Sequence, residues 1–163
     1  MEIMVAVAAT IGSPFAPGDG SDGSALMSAG SIRVTGYPVG AGWVSNTLAE
    51  DGGATAVLLL MEEPALPGRS VRARPVALIR ALVDGQPRAE LLCVPTHDAN
   101  FGTLTSIEAL RAWRVDEDTL ATILHRLDPT HRWRVADLEG PATAEAFLAE
   151  AHHSYERLTG CLE

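Results

Sequence analysis

The sequence contains no lysine: its twelve basic residues are all arginine. No step can therefore run through a lysine Schiff base, and no tunable ammonium is available to a site. A codon preference for Arg, Ala and Gly explains the absence without a functional cause. Cysteine is nearly as scarce. Cys93 and Cys161 lie far apart, which excludes a disulfide framework and a Cys-rich metal motif. Positive charge is in short supply, with a formal net charge of −9. That argues against nucleic acid and anionic membrane surfaces as partners, since both need a cationic patch. No apolar run reaches transmembrane length. Met1 to Thr10 is apolar but carries Glu2 and no basic leader, so it makes a poor signal peptide and a cytoplasmic location is expected.

What is present points to a folded domain. Apolar residues make up 47% of 163 residues, enough for a substantial core, and a single domain spanning 1–163 is expected. Residues 12–30 are rich in Gly, Ser, Asp and Pro and read as a flexible loop. Strands are expected over 3–11, 31–35, 39–44, 54–61, 70–82 and 89–94, with turns at 50–53, 64–68 and 84–87. The character then changes. Leu120, Ile123, Leu124 and Leu127 recur at helical spacing after Asp116, and Pro129 ends that run. Pro141 opens a second helix to Leu158, with an expected inner stripe of Phe147, Ala151, Tyr155 and Leu158. A small β-barrel followed by two helices is the physical reading.

Residues 37–60 read YPVGAGWVSNTLAEDGGATAVLLL. This stretch resembles the signature region of the soluble, family I inorganic pyrophosphatases. There a Tyr-Pro is followed by three Asp at the first, third and sixth positions of a short motif. Further matches follow in order: Leu66-Pro67-Gly68, Arg74-Pro75-Val76, Leu92-Cys93-Val94-Pro95, then Trp113, His125 and Asp128, and the last helix. The resemblance implies an α+β fold, an OB-like five-stranded β-barrel with two flanking C-terminal helices. It also implies a homo-oligomer, hexamer or trimer, with His125 and Asp128 on the contact helix.

The active-site positions depart from that family. Of the three Asp positions only Asp51 is retained; the others are Gly53 and Ala56. Ala41 replaces a Tyr. Asp84 matches the first acid of a later cluster with a one-residue shift, and Arg88 and Glu90 hold an acid and a Lys position with reversed charge. A multi-ion Mg²⁺ cluster needs several carboxylates, so no metal and no cofactor are expected. Asp51 and Asp84 also have a plainer account as turn residues before glycine. The substitutions at 41, 53 and 56 remove bulk, so a widened cavity at the barrel mouth is expected. Tyr37, Asp51 and Glu90 are its candidate catalytic residues, and Ala41, Trp43, Gly53, Ala56, Asp84 and Arg88 its lining. The expectation is a metal-independent enzyme on a small organic molecule, performing a cyclisation, isomerisation or dehydration in specialised metabolism. The alternatives are a non-catalytic protein binding a ligand or partner, and a residual inorganic diphosphatase.

Overall fold

The computed structural model describes residues 2–13, 15, 37–49, 52–63 and 66–160. Six strands are seen: β1 (Ile3–Ile11), β2 (Val39–Val44), β3 (Thr55–Leu60), β4 (Ser70–Val83), β5 (Gln86–Pro95) and β6 (Trp133–Glu139). They lie in the order β1-β2-β3-β5-β4-β6, and β1 also pairs with β4. That last pairing closes the first five strands into a ring, with β6 attached to β4 outside it. The fold class stands as α+β, but the sheet has six strands and is less regular than a clean five-stranded barrel. All pairings are antiparallel except β3 with β5.

The β4–β5 hairpin is turned by Asp84 and Gly85, with φ of 50° and 83°. Two consecutive positive φ values define the mirror-image turn that matches strand twist, and Asp-Gly is a preferred pair for it. β2 is crowded by β1: a Cβ added at Gly42 would stand 1.8 Å from the Ala6 carbonyl oxygen. Only glycine permits this approach.

Three helices and a 3-10 turn follow the hairpin. The turn spans Ala99–Phe101, α1 Ile107–Ala112, α2 Glu117–Leu127 and α3 Pro141–Thr159. Ser106 caps α1 by accepting from the Ala109 N–H at 3.1 Å, and Asp116 caps α2 by accepting from Thr119 N–H at 2.9 Å. The expected stripe of α2 is buried at Leu120, Ile123 and Leu124. In α3 the expected stripe holds at Ala151, with Phe147 and Tyr155 half-buried, and needs correcting at Leu158. The buried residues are Ala144, Leu148 and Ala151, while Leu158 is 70% exposed.

The loop expected over 12–30 is anchored where it begins. Ser13 and Phe15 are buried. Ser13 Oγ donates to the Tyr37 carbonyl, and Tyr37 N–H donates to the Phe15 carbonyl at 2.8 Å. Residues 16–36, including the strand expected at 31–35, lie outside the described residues.

Side-chain alternation sorts the core into two layers. Val5, Val7, Val44, Val57, Leu59, Leu91 and Cys93 fill the ring interior, joined by Ala144 and Leu148 of α3. Leu58, Leu60, Leu92 and Val94 face outward and are covered by Phe101, Leu110, Trp113, Leu120 and Leu124. Each fully buried leucine contributes roughly 1.5–3 kcal/mol. Arg74 of β4 ties the sheet to its outer cover, donating to the Phe101 and Leu104 carbonyls at 2.6 and 3.1 Å. Among the described residues, no helix is long and apolar enough to cross a membrane.

Candidate functional site

Strand register decides which candidate residues meet. Trp43 lies opposite Ala56 across β2 and β3. Val57 lies beside Leu91 in the parallel pair, so the same register sets Ala56 beside Glu90. Glu90 in turn lies opposite Ile79. Trp43, Ala56 and Glu90 thus form one row across the sheet. Ala41 and Arg88 stand on the same face, one step to either side of it, because side chains two apart share a face.

That face is the outer one. Glu90 shares it with Leu92 and Val94 of the outer layer, not with Leu91 and Cys93 of the interior. The expected placement at the barrel mouth is therefore corrected: these residues line the outside of the ring, where Ala41 packs against the helix-covered layer and Glu90 is buried. Trp43, expected in the core or a pocket wall, is 42% exposed.

Glu90 is the unusual member of the row. It is 7% exposed, and its Oε2 has no hydrogen-bond partner among the described residues. Burial pushes its carboxyl up to about 7; nearby Arg88 pulls it down and Asp128 pushes it up again. The Arg88 guanidinium lies 5.6 Å from the centre of the Trp133 ring, a cation–π contact. Trp133 Nε1 is likewise buried without a partner among the described residues.

The other described candidates make different contacts. Tyr37 is built into an aromatic cluster, stacked on Trp113 at 5.4 Å and edge-on to Phe101 at 5.2 Å. Gly53 is exposed in the β2–β3 connection, where its carbonyl accepts from Ala49 N–H at 2.8 Å. Asp84 sits at the hairpin tip, not beside the row. Its carboxylate accepts from His131 Nδ1 and Arg132 N–H, both at 2.7 Å. Those two bonds hold its carboxyl below the usual range, the Arg132 bond most strongly. Asp51 lies outside the described residues. Asp128 turns to Thr130, at 2.8 Å, and to His131 Nε2, at 4.0 Å, rather than to His125.

A separate cleft of about 790 Å³ opens at one end of the ring, where β3 and β5 leave and β4 enters. Its floor includes Met61, which belongs to the interior layer. The opposite end is covered by α3, tied to the β2–β3 connection through Leu48 N–H to the Ala151 carbonyl at 3.0 Å. The cleft is lined by Glu62, Glu63, Arg69, Arg72, His97 and Asp98, none of them among the residues singled out from the sequence. The signal is weak because these residues come from three separate strand ends.

Comparison with known proteins decides the family. The profile described as inorganic pyrophosphatase matches residues 20–156. The inorganic pyrophosphatase of Streptomyces coelicolor is 32% identical over 124 residues, covering 76% of this chain and 74% of that one. The chain belongs to the inorganic pyrophosphatase family. The inorganic pyrophosphatase of Synechocystis sp. is 35% identical over 81 residues, and the matched part spans about half of each chain (50% and 48%). Solved family folds agree. The Helicobacter pylori inorganic pyrophosphatase superposes with a TM-score of 0.69 at 22% identity, covering 95% of this chain and 94% of that one. The Thermus thermophilus enzyme gives 0.68 at 18%, covering 95% and 91%. At those identities the likeness speaks for the fold alone.

Family membership overturns the expected function. The curated relatives that cover about three quarters of this chain are named inorganic pyrophosphatases. A repurposed enzyme acting on an organic molecule has no support among them. The cavity inferred from small residues was also misplaced, since Ala41 and Ala56 open onto the outer face.

Proposed function

We propose that this protein acts on inorganic pyrophosphate, as a slow diphosphatase. The match to the Streptomyces coelicolor inorganic pyrophosphatase over three quarters of both chains is the observation that supports this best. The rate is low on this reading because few carboxylates converge among the described residues. Gly53 and Ala56 bring no side-chain donor, and Asp84 is committed to His131 and Arg132. Among the described residues, no three of His, Cys, Asp or Glu stand together as ligands. They do not fit a multi-ion Mg²⁺ cluster, so no step is derived through metal. Each missing transition-state contact of this kind costs ~10²–10³ in rate. The chain's own residues bring a cation at Arg88 and, in Glu90, a carboxyl able to exchange a proton near neutral pH.

A second reading is a pyrophosphate-binding protein that does not hydrolyse, favoured by the same sparse donor set. Phosphate release with Mg²⁺, measured beside calorimetric titration of pyrophosphate, separates the two. Binding with turnover below ~1 s⁻¹ supports the slow diphosphatase. Binding without release supports the second reading, and neither binding nor release overturns both. Turnover within the ~1–10³ s⁻¹ of ordinary enzymes would keep the substrate and remove the sparse-site account.

The same reading carries a single domain over 1–163 in the cytoplasm and a homo-oligomer, trimer or hexamer. A monomer in light scattering at micromolar concentration would remove the assembly.

A further inference from the structure

We propose that the cleft at the open end of the ring binds a small zwitterion, an amino acid with an apolar side chain. This goes beyond pyrophosphate chemistry and uses none of the Trp43–Ala56–Glu90 row. The cleft holds about 790 Å³, within the range of roughly 300–1,000 Å³ typical of small-molecule sites, and barrel mouths are a common place for them.

Its walls carry charge of both signs, with Asp98 Oδ1 also accepting from Asn100 N–H at 3.1 Å. Arg69 and Arg72 stand at the start of β4, while Glu62 follows β3 and Asp98 follows β5. Among the described residues the Arg69 guanidinium makes no hydrogen bond or ion pair. Among the described residues Arg72 reaches Glu2 alone, at 4.0 Å. Elsewhere arginines find close acids, as Arg111 does Glu117 at 2.8 Å and Arg80 does Glu139 at 3.2 Å. Here acids and arginines face one space without pairing across it.

The acid wall is itself under strain of like charge. Glu62 accepts from Asn100 Nδ2 and has the Asp98 carboxyl as its neighbour. That contact holds its carboxyl above the usual range. Two neighbouring carboxyls are well placed to take an ammonium, which donates to both. The arginines supply the complementary clamp for a carboxylate. Between them Met61 and Pro95 offer apolar surface for a side chain. A ligand with an ammonium, a carboxylate and an aliphatic body satisfies all three.

L-Leucine tests this, with isoamylamine and 4-methylvalerate as the amine-only and acid-only probes, read by NMR titration of the full chain. Leucine is expected to bind saturably, with each single-charge probe at least tenfold weaker, since one charge-assisted hydrogen bond is worth about that factor. Arg69→Ala should bring leucine down to isoamylamine, and Glu62→Gln should bring it down to 4-methylvalerate. Both residues are exposed, so neither change threatens the fold. Absence of leucine binding overturns the proposal. So does equal binding of isoamylamine, or a response to Mg²⁺ alone, which would mark the acids as a cation site. Loss of pyrophosphate activity or binding would leave this result untouched, since the two sites share no residue.

Discussion

Two carboxylates on one hairpin have opposite fates. Asp84 at the tip is exposed and accepts two hydrogen bonds, and its carboxyl is held below the usual range. Glu90, six residues on, is buried with one oxygen unpartnered, and its carboxyl is pushed up to about 7. The chemistry of the groups is the same. The difference comes from solvent and partners: donors stabilise the anion at the tip, while desolvation favours the neutral acid in the sheet. A carboxylate in this family's sequence cannot be assigned a role from its residue type. Asp84 serves a turn, and Glu90 is the one placed to carry a proton near neutral pH.

The largest expected effect is at Glu90. A carboxyl raised from 4.5 to about 7 corresponds to about 3 kcal/mol, as an order of magnitude. The sign follows from proton counting. Below 4.5 both folded and unfolded chains hold the proton, and Glu90 costs nothing. Between 4.5 and about 7 only the folded chain holds it, so stability falls as pH rises, and above about 7 the whole loss is in place. Urea unfolding of the wild type should show this fall, and Glu90→Gln should flatten it and exceed the wild type at pH above 7. Parallel pH profiles for the two proteins would show that Glu90 is solvated and that its burial has no energetic consequence.

The alternation that sets Glu90 beside Leu92 and Val94 was legible, because a strand has period two whatever surrounds it. Which face looks inward was not. That depends on β1 pairing with β4 to close the ring, a contact between distant segments with no local signal. The boundaries of β1 and β2 were read directly from apolar runs between glycine-rich stretches. β6 was missed for a visible reason. Only Val135 and Leu138 of WRVADLE are buried, and a register shift between them breaks the period of two. α1, with six residues, is too short to show a helical period. In α3 the expected stripe was right at Ala151 and partly at Phe147, but it ran on to the exposed Leu158 and left out Ala144 and Leu148. The helix approaches the ring through Ala144 and Ala151, where small residues allow close packing. Asp84 was recognisable as turn chemistry from Asp-Gly alone, yet its partners His131 and Arg132 lie some 47 and 48 residues away.

A smaller effect should follow from Arg88, which works against burial at Glu90. Its positive charge lowers the Glu90 carboxyl, while Asp128 raises it. Removing that charge with Arg88→Ala should move the midpoint of the stability fall to a pH higher than in the wild type. It also removes the cation–π contact with Trp133, so a uniform loss at all pH values is expected beneath the shift. The two components separate cleanly, since only the first vanishes in a Glu90→Gln background. A midpoint that stays put on Arg88→Ala would mean that solvent screens Arg88 from Glu90.

The smallest effect belongs to the exposed partner of the comparison. Asp84 and His131 are both at the surface, where an ion pair adds little to stability. Their titration is the sensitive readout. The hydrogen bond to Asp84 is the first cause of the raised His131 ring, with Asp128 adding to it. A raised histidine contributes stability that is complete below 6.5 and lost as pH rises through its folded value. A lowered aspartate contributes stability that is complete above 3.8 and lost as pH falls through its folded value. The pair is therefore at full strength between those limits, a window that overlaps the one in which Glu90 is losing stability. Asp84→Asn keeps a side chain that tolerates the positive φ of 50° and can still accept from Arg132 N–H, but it removes the charge. The His131 ring proton, followed by NMR, should then titrate at lower pH than in the wild type, while remaining somewhat raised by Asp128. Unfolding should change only slightly, and only inside the window. An unshifted His131 would show that the 2.7 Å contact does not persist in solution. The hairpin tip would then owe its conformation to the Asp-Gly turn alone.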